Sequence, residues 1–459
     1  MIDPTTDRGH LLRRNAPFRR FLAGEFVTNL GDSLYAVAVL WFALQTSGSP
    51  LVVSVVNAAL LTPWLLQFAA GAVVDRVDVV RLLVVVQLLQ GVGVAGLAVA
   101  GATGRLAVPL LTAVVAALAG LAVTLTPVQA RLVPRLVADE RLSTGNGLLA
   151  TVTLGLDTVF EAVGGLLIPV FGVEALLAAD AATFLVAAVL FARVRPGLTG
   201  GDDGADTDVD TATDGGDTDS GGDTGSGGDT GSGGDSRPSV SDAVTAYVAD
   251  TREGIAALRG TVFVELVGVS AVFHLALGAT LTLLPVYAAT RGGAGTYGLL
   301  LGAFGVGRVV GTNVADRLTG LPYGWFRAGT SLAAAGAWVA SVATTSRLAA
   351  VVLFGLAWVP AGANGVFVST LNQRLFPSEL LGRVSSLKGT ASTATLPVGS
   401  LLGGVAATLL DARTAMALGA TGFAFVGLWF CLRPRLRRLP SVRAATPAAF
   451  DVTVGDDPE

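Results

Sequence analysis

The 459 residues include one cysteine, two histidines and one lysine. Cys431 has no second thiol to pair with, so an internal disulfide and a cysteine metal knuckle are both excluded. His10 and His274 lie far apart, which leaves no histidine cluster for a metal or a nucleophilic triad. Lys388 is followed by Gly389 but lacks the preceding glycine of a phosphate-binding P-loop. Charge is also scarce, at 14% of residues, against about 25% in soluble domains. These absences argue against an enzyme with a metal or triad, against an ATP-driven pump, and against an ordinary soluble globule. They imply no cofactor and no nucleic-acid partner.

Apolar residues make up 52% of the chain, gathered into runs long enough to cross a bilayer core. Backbone in lipid must satisfy its own hydrogen bonds, and the alternation of a barrel strand is missing, so the runs read as helices. They fall at 21–44, 51–74, 80–102, 106–127, 147–170 and 173–193, then at 263–287, 296–315, 326–344, 348–370, 387–410 and 414–432. The predicted fold is all-α and integral to the membrane, with twelve transmembrane helices in two bundles of six. No short apolar region with a small-residue cleavage site follows the arginines of residues 1–20, so no signal peptide is read.

Between the halves lies a segment that offers almost no apolar surface. Residues 201–235 are nearly all Gly, Asp, Thr and Ser, and the hexad GGDTGS occurs in tandem at 221–226 and 227–232. Its eleven aspartates repel one another, and the segment reads as a solvated tether. Setting them aside leaves 23 acids against 30 bases. The predicted organisation is a first bundle over 1–195, a disordered acidic linker over 196–240, and a second bundle over 241–459 with an amphipathic lead-in at 241–260.

The arginines orient the chain. With the first end inside, 25 of the 30 basic residues fall in cytoplasmic segments, while Arg105, Arg291, Arg347 and Arg413 lie outside and Arg308 falls within a span. Both termini and the tether are then cytoplasmic, on a multi-pass protein of the cell membrane. The halves also repeat. Asp75-Arg76 after the second helix returns as Asp316-Arg317 after the eighth, 241 residues later, and Arg131-Leu132-Val133-Pro134 returns as Arg374-Leu375-Phe376-Pro377, 243 later. Two loop motifs at nearly one offset indicate a duplicated six-helix unit.

Ionisable residues inside the spans are the candidate site. Each costs about 2.5–3.5 kcal/mol near the bilayer centre. Glu25, Asn29 and Asp32 stand at i, i+4 and i+7 on one helix face. Thr153, Asp157 and Glu161 share a face of the fifth helix. Asp32, Asp157 and Glu161 stand at one depth, more carboxylates than packing needs, and are the expected proton-binding groups. Asp180 reads as a packing hydrogen bond. Glu25 reads equally as an interfacial acid or a site group, His274 as a satisfied bundle histidine or a site group, and Arg308 as a structural countercharge or a site group. Arg308 is flanked by Gly307 and Gly311, a pair that lets helices approach closely. Pro63, Pro360 and Pro397 are expected kinks.

Six helices plus six, a long central loop, and Gly71 four residues before Asp75-Arg76 resemble the major facilitator superfamily. The family pattern runs G-x-x-x-D-R-x-G-R-R; here Asp78 replaces the second glycine and one basic residue, Arg81, is displaced. In the second copy Thr312 stands where the glycine would precede Asp316 and Arg317. The segments FRRFLAGEFVTNLGDSLYAVAVLWFALQTSGSP, PVQARLVPRLVADERLSTGNGLL and LNQRLFPSELLGRVSSLKG resemble the enterobactin and macrolide exporter branch. The resemblance implies a gating loop in which Asp75 meets the amino-terminal end of helix eleven. It implies a monomeric secondary transporter, in contact with membrane lipid, that exports small amphipathic compounds as a proton-coupled antiporter. Sodium coupling, import of a small solute, and a non-transporting scaffold or sensor are the alternatives.

Overall fold

The computed structural model describes residues 11–74, 76–195, 245, 249, 252 and 260–452. The acidic linker and nearly all of the amphipathic lead-in lie outside the described residues. Short polar caps, prolines and glycines cut the apolar runs into helices. Asn15 accepts the Phe18 N–H at 2.9 Å to start α1 (Ala16–Ser47), and Gly48, at φ 63°, ends it. Proline opens α2 (Pro50–Leu61), which continues through a 3-10 turn at Thr62–Leu66 into Gln67–Val74. Pro63, one of the expected kinks, is the second residue of this turn. Asp78 accepts the Arg81 N–H at 2.7 Å and caps α3 (Val79–Ala102). The residue that departs from the family glycine is therefore a helix cap.

Two segments form α4 (Val108–Ala122 and Leu125–Leu136). Helix α5 runs through Leu142–Ala150, a π-helical turn at Thr151–Gly155, and Asp157–Phe171, and α6 follows at Val173–Ala192. The second set comprises α7 (Val262–Ala289), α8 (Ala294–Leu318), α9 (Tyr323–Ala343), α10 (Arg347–Leu375), α11 (Ser378–Leu409) and α12 (Ala412–Leu418 and Thr421–Leu432). Pro360 and Pro397 sit inside continuous helices rather than at breaks. All twelve predicted spans are thus helices, and the described residues contain no strand, only the isolated bridge Pro322–Ser441. Valines and leucines such as Val92, Val170 and Leu348 point outward and exposed, as a lipid-facing surface requires.

Both sets use the same helix pairs. In the first, α1 packs with α5 and α6, α2 with α4, and α3 with α6; in the second, α7 packs with α11 and α12, α8 with α10, and α9 with α12. Between the sets the main contacts are α5 with α8 and α2 with α11, which exchange under the same two-fold relation.

These contacts lie at one end of the molecule, the crown, opposite the base where α1 enters and α12 leaves. At the crown Gly165 of α5 meets Gly298 of α8 backbone to backbone, and Gly404 of α11 sits over Ser54 of α2, with no room for a Cβ at either glycine. Trp41 stacks on Tyr297 with centroids 6.1 Å apart. The buried cores follow the same division. One cluster, from Tyr35 through Tyr287 to Phe423, spans both sets at the crown, whereas two others, around Phe18 and Phe191 and around Phe263 and Phe430, stay within their own set at the base. Among the described residues, the clusters join the halves at the crown and stay separate at the base.

After α12 the chain folds back under the second set. Tyr323 N–H donates to Pro440 O at 3.2 Å, and Arg374 Nη1 donates to the carbonyls of Val442 and Arg443 at 3.1 and 3.0 Å. Arg443 Nε donates to Thr319 Oγ1 at 2.8 Å. Fully buried Phe450 packs 6.0 Å from Phe263, and Arg435 pairs with Asp451 at 2.6 Å.

Candidate functional site

The first set carries a polar spine along α1. Glu25 is buried within the bundle at 4% exposure and accepts from Gln129 Nε2 of α4 at 2.8 Å. One turn on, Thr28 Oγ1 donates to Gln87 Oε1 of α3 at 3.2 Å. Asn29 Nδ2 donates to Thr153 O at 3.2 Å, inside the π-turn of α5. A π-turn leaves carbonyls short of helical partners, and Asn29 fills one of those vacancies. Asp32 lies within electrostatic range of Glu25 and of Asp180 on α6. Asp180 is fully buried against Gly31, where a Cβ would collide with its carboxylate, and Thr183 Oγ1 donates to it at 3.3 Å.

Glu161 is half-buried on α5 and acts electrostatically on Tyr297 of α8, at the contact between the sets. Asp157 falls at the start of the α5 segment after the π-turn; its side chain lies outside the described ones. The i, i+4, i+7 face on α1 therefore faces the bundle interior, where Glu25 meets Gln129, Asn29 meets the Thr153 carbonyl and Asp32 lies near Asp180.

The second set holds a cavity of about 560 Å³. Its walls come from α7 through α12 and include Ser270, His274, Arg308, Arg327, Trp358 and Asn372. It lies between the crown cluster and the second set's own base cluster, with Phe304 and Trp358 from the one and Leu266, Tyr323 and Phe430 from the other in its lining. His274 Nδ1 lies 2.8 Å from Ser270 O. A carbonyl only accepts, so Nδ1 carries the proton and Nε2 of the neutral ring remains an acceptor. Ser270 Oγ bonds Ser392 Oγ of α11 at 2.8 Å, and Tyr323 Oη donates to Asn364 Oδ1 at 3.1 Å.

Arg308 is held by its backbone. Gly307 and Gly311 of α8 press on α10 at Gly355 and Val359, and Gly362 of α10 presses on the Arg308 carbonyl, none with space for a Cβ. The guanidinium stands 5.2 Å from the Phe304 ring centre. Arg327 escaped the sequence reading because it sits at the edge of the 326–344 run and counts as a loop charge there. The helix begins earlier, at Tyr323, which places Arg327 in its second turn and buries it to 6% exposure. Asn372 escaped in the same way, since α10 runs past residue 370 to Leu375.

The gating motif is only partly placed. Gly71 is on α2, Arg76 and Arg81 are exposed at the base, and Asp75 lies outside the described residues. In the second copy Asp316 and Arg317 are exposed in the last turn of α8, and Thr319 Oγ1 donates to the Asp316 carbonyl at 2.8 Å.

The family profile of the Major Facilitator Superfamily matches residues 21–394. The chain belongs to that superfamily. As a facilitator it is a multi-pass membrane transporter, and solved facilitators share its architecture. A bacterial homologue of the human lysosomal transporter Spinster, inward-facing and occupied, is 12% identical with a TM-score of 0.62, covering 93% of this chain and 97% of that one. An inward-facing bacterial homologue of the iron transporter ferroportin is 16% identical with a TM-score of 0.62, over 91% and 98% of the two chains. The nucleoside transporter NupG is 10% identical with a TM-score of 0.61, over 91% and 98%. Identities this low speak for the fold alone. No curated protein matches the facilitator in sequence.

Proposed function

We propose that this facilitator is a proton-coupled exporter of small amphipathic compounds that works by alternating access between two six-helix bundles, 1–195 and 241–459, joined by the 196–240 tether. The observation that carries the reading is that, among the described residues, the main contacts between the sets gather at the crown, with a cavity of the second set reaching from the crown cluster to that set's base cluster. Rocking the sets about the buried glycines would open the crown and close the base. The arginine excess puts the base in the cytoplasm, so this is the inward-facing state. Export rests on the likeness to the enterobactin and macrolide branch. Asp75 would latch the base against the start of α11 after closure, with Asp316 and Arg317 as the second, weaker copy.

In this scheme Asp32 and Glu161, with Asp157 in support, hold the driving proton, while Glu25 and Asn29 shape the α1 spine and His274 and Arg308 meet the substrate. Burial and mutual repulsion keep clustered acids from all being charged at once, which is the condition for carrying a proton. The test pairs uphill efflux with counterflow in the same vesicles, using macrolides, siderophores and lipophilic cations under imposed proton or sodium gradients. Asp32→Asn and Glu161→Gln should abolish uphill efflux while at least one keeps counterflow. Wild-type, pH-dependent uphill efflux in both variants would move the coupling site elsewhere.

A further inference from the structure

Among the described residues, the cavity in the second set is charged with one sign: its ionised walls are Arg308 and Arg327, and none of the described lining residues is a carboxylate. Among the described residues Arg327 makes no hydrogen bond and no ion pair, and its Nη1 is fully buried without a partner. Two more lining atoms are buried and unpartnered: the indole Nε1 of Trp358 and Oδ1 of Asn372. Arg308 projects into the open part of the cavity, and its neighbour there is the face of Phe304. A guanidinium withdrawn from water without a counterion is costly, and a folded protein retains one where an anion comes to it.

Beside the arginines and a set of neutral polar side chains, the lining has an apolar and aromatic wall of Leu266, Phe273, Leu277, Phe304 and Trp358. About 560 Å³ lies within the range of ordinary small-molecule sites. A planar fork of N–H donors matches the oxygens of a carboxylate, sulfonate or phosphate, and the Trp358 N–H adds a donor of the same polarity. A cationic guest would meet only like charge on these walls.

We infer that the cavity binds an anionic amphiphile, with an oxyanion head on Arg308 and Arg327 and a ring-bearing apolar body against Phe273, Phe304 and Trp358. The inference rests on the alternating-access reading in taking this cavity as the substrate's. It narrows the amphipathic substrate to an acid and separates its site, on the second set, from the carboxylates of the first.

Three probes of one shape test it on the purified full chain by titration calorimetry: 2-naphthoate, the neutral 2-naphthamide and the cationic 2-naphthylmethylammonium. The wild type should bind the carboxylate about ten-fold or more tightly than either other probe. Arg308→Gln and Arg327→Gln should each remove that preference while leaving the amide's affinity unchanged, and Arg327→Lys should restore part of it. The ligand-free Arg327→Gln protein should also unfold at a higher temperature, because an unpaired buried charge has gone. Equal binding of the three probes, or absence of binding, overturns the site. So does a carboxylate preference that survives both glutamine variants alongside a lowered unfolding temperature, which marks the arginines as structural. If Arg327→Gln does not fold, Arg308→Gln on the exposed wall decides alone. Counterflow of labelled 2-naphthoate separates the two readings. Arginine-dependent binding without any counterflow sinks the transport reading and leaves the site, whereas undiminished transport of other compounds in both variants sinks the site alone.

Discussion

Asp411 shows how much one exposed side chain can organise. It caps the start of α12 beside the crown: the Thr414 hydroxyl donates to its carboxylate at 2.6 Å, and the backbone N–H groups of Thr414 and Arg413 each donate at 3.0 Å. Those bonds, the hydroxyl's first, hold the carboxyl below the usual aspartate range. An acid whose folded pKa is depressed stabilises the fold above its unfolded value and loses that contribution as pH falls through the folded one. Asp411→Asn should therefore unfold at a lower temperature than wild type at neutral pH, with the gap closing only in acid below the ordinary aspartate range. Thermal denaturation of the two proteins across pH measures this, and identical curves at neutral pH would show that the cap contributes nothing. The acids of α1 illustrate a different point about single residues. The shared face of Glu25, Asn29 and Asp32 is legible from spacing alone, because helical period fixes it. Their partners Gln129 and the Thr153 carbonyl are not, because one sequence does not state which helix faces which.

Helix boundaries follow the same logic. Hydropathy locates all twelve elements, since the bilayer selects apolar length, but it is blind to backbone register. The π-turn at Thr151–Gly155 leaves no mark in an apolar run, and the early starts and late ends that bury Arg327 and Asn372 fall in stretches too polar to extend the pattern. Pairing between elements is likewise fixed by side chains that read as unremarkable. At the crown, Asn57 Nδ2 of α2 donates to Thr282 Oγ1 of α7 at 3.1 Å, Thr282 bonds Ser400 of α11 at 2.7 Å, and Ser400 donates to Ser54 O at 3.0 Å. All four residues are buried, so the ladder ties α2 to α7 and α11 where water cannot compete. Thr282→Val strands the Asn57 amide at a cost of about 1–3 kcal/mol. The ratio of closed to open crown should then fall about ten-fold. Spin labels at Arg135→Cys and Gly320→Cys, in a Cys431→Ser background, report the width of the base. The expected result is a larger short-distance population in the valine variant; an unchanged distribution would mean the ladder does not hold the crown shut.

For the whole molecule, the governing asymmetry is that, among the described residues, the two sets meet chiefly at one end. Assigning that end to the outside depends on the arginines, and a labelling experiment checks it. Cysteines at positions 220 and 449, again without Cys431, should react with an impermeant maleimide only after the membrane is opened from the cytoplasmic side. Labelling in intact cells would invert the topology and turn the open base outward. The repeat that organises the fold was legible as two loop motifs at one offset, and the matching helix pairs give it a physical form. What the repeat conceals is divergence: one copy collected carboxylates along its first helix, and the other collected guanidiniums around a cavity.

The fold-back of the chain after α12 bears on how the protein is made. Gly324 and Tyr323, which set the start of α9 and so the position of Arg327, are backed by the carbonyls of Leu436, Arg437 and Pro440. Those carbonyls leave the ribosome long after α9 has entered the membrane. Until then the entrance of α9 has no floor, and the arginine wall of the cavity cannot settle. Membrane insertion and maturation of the site are therefore separate events in biosynthesis, and a nascent chain halted between α12 and this segment would be inserted yet immature.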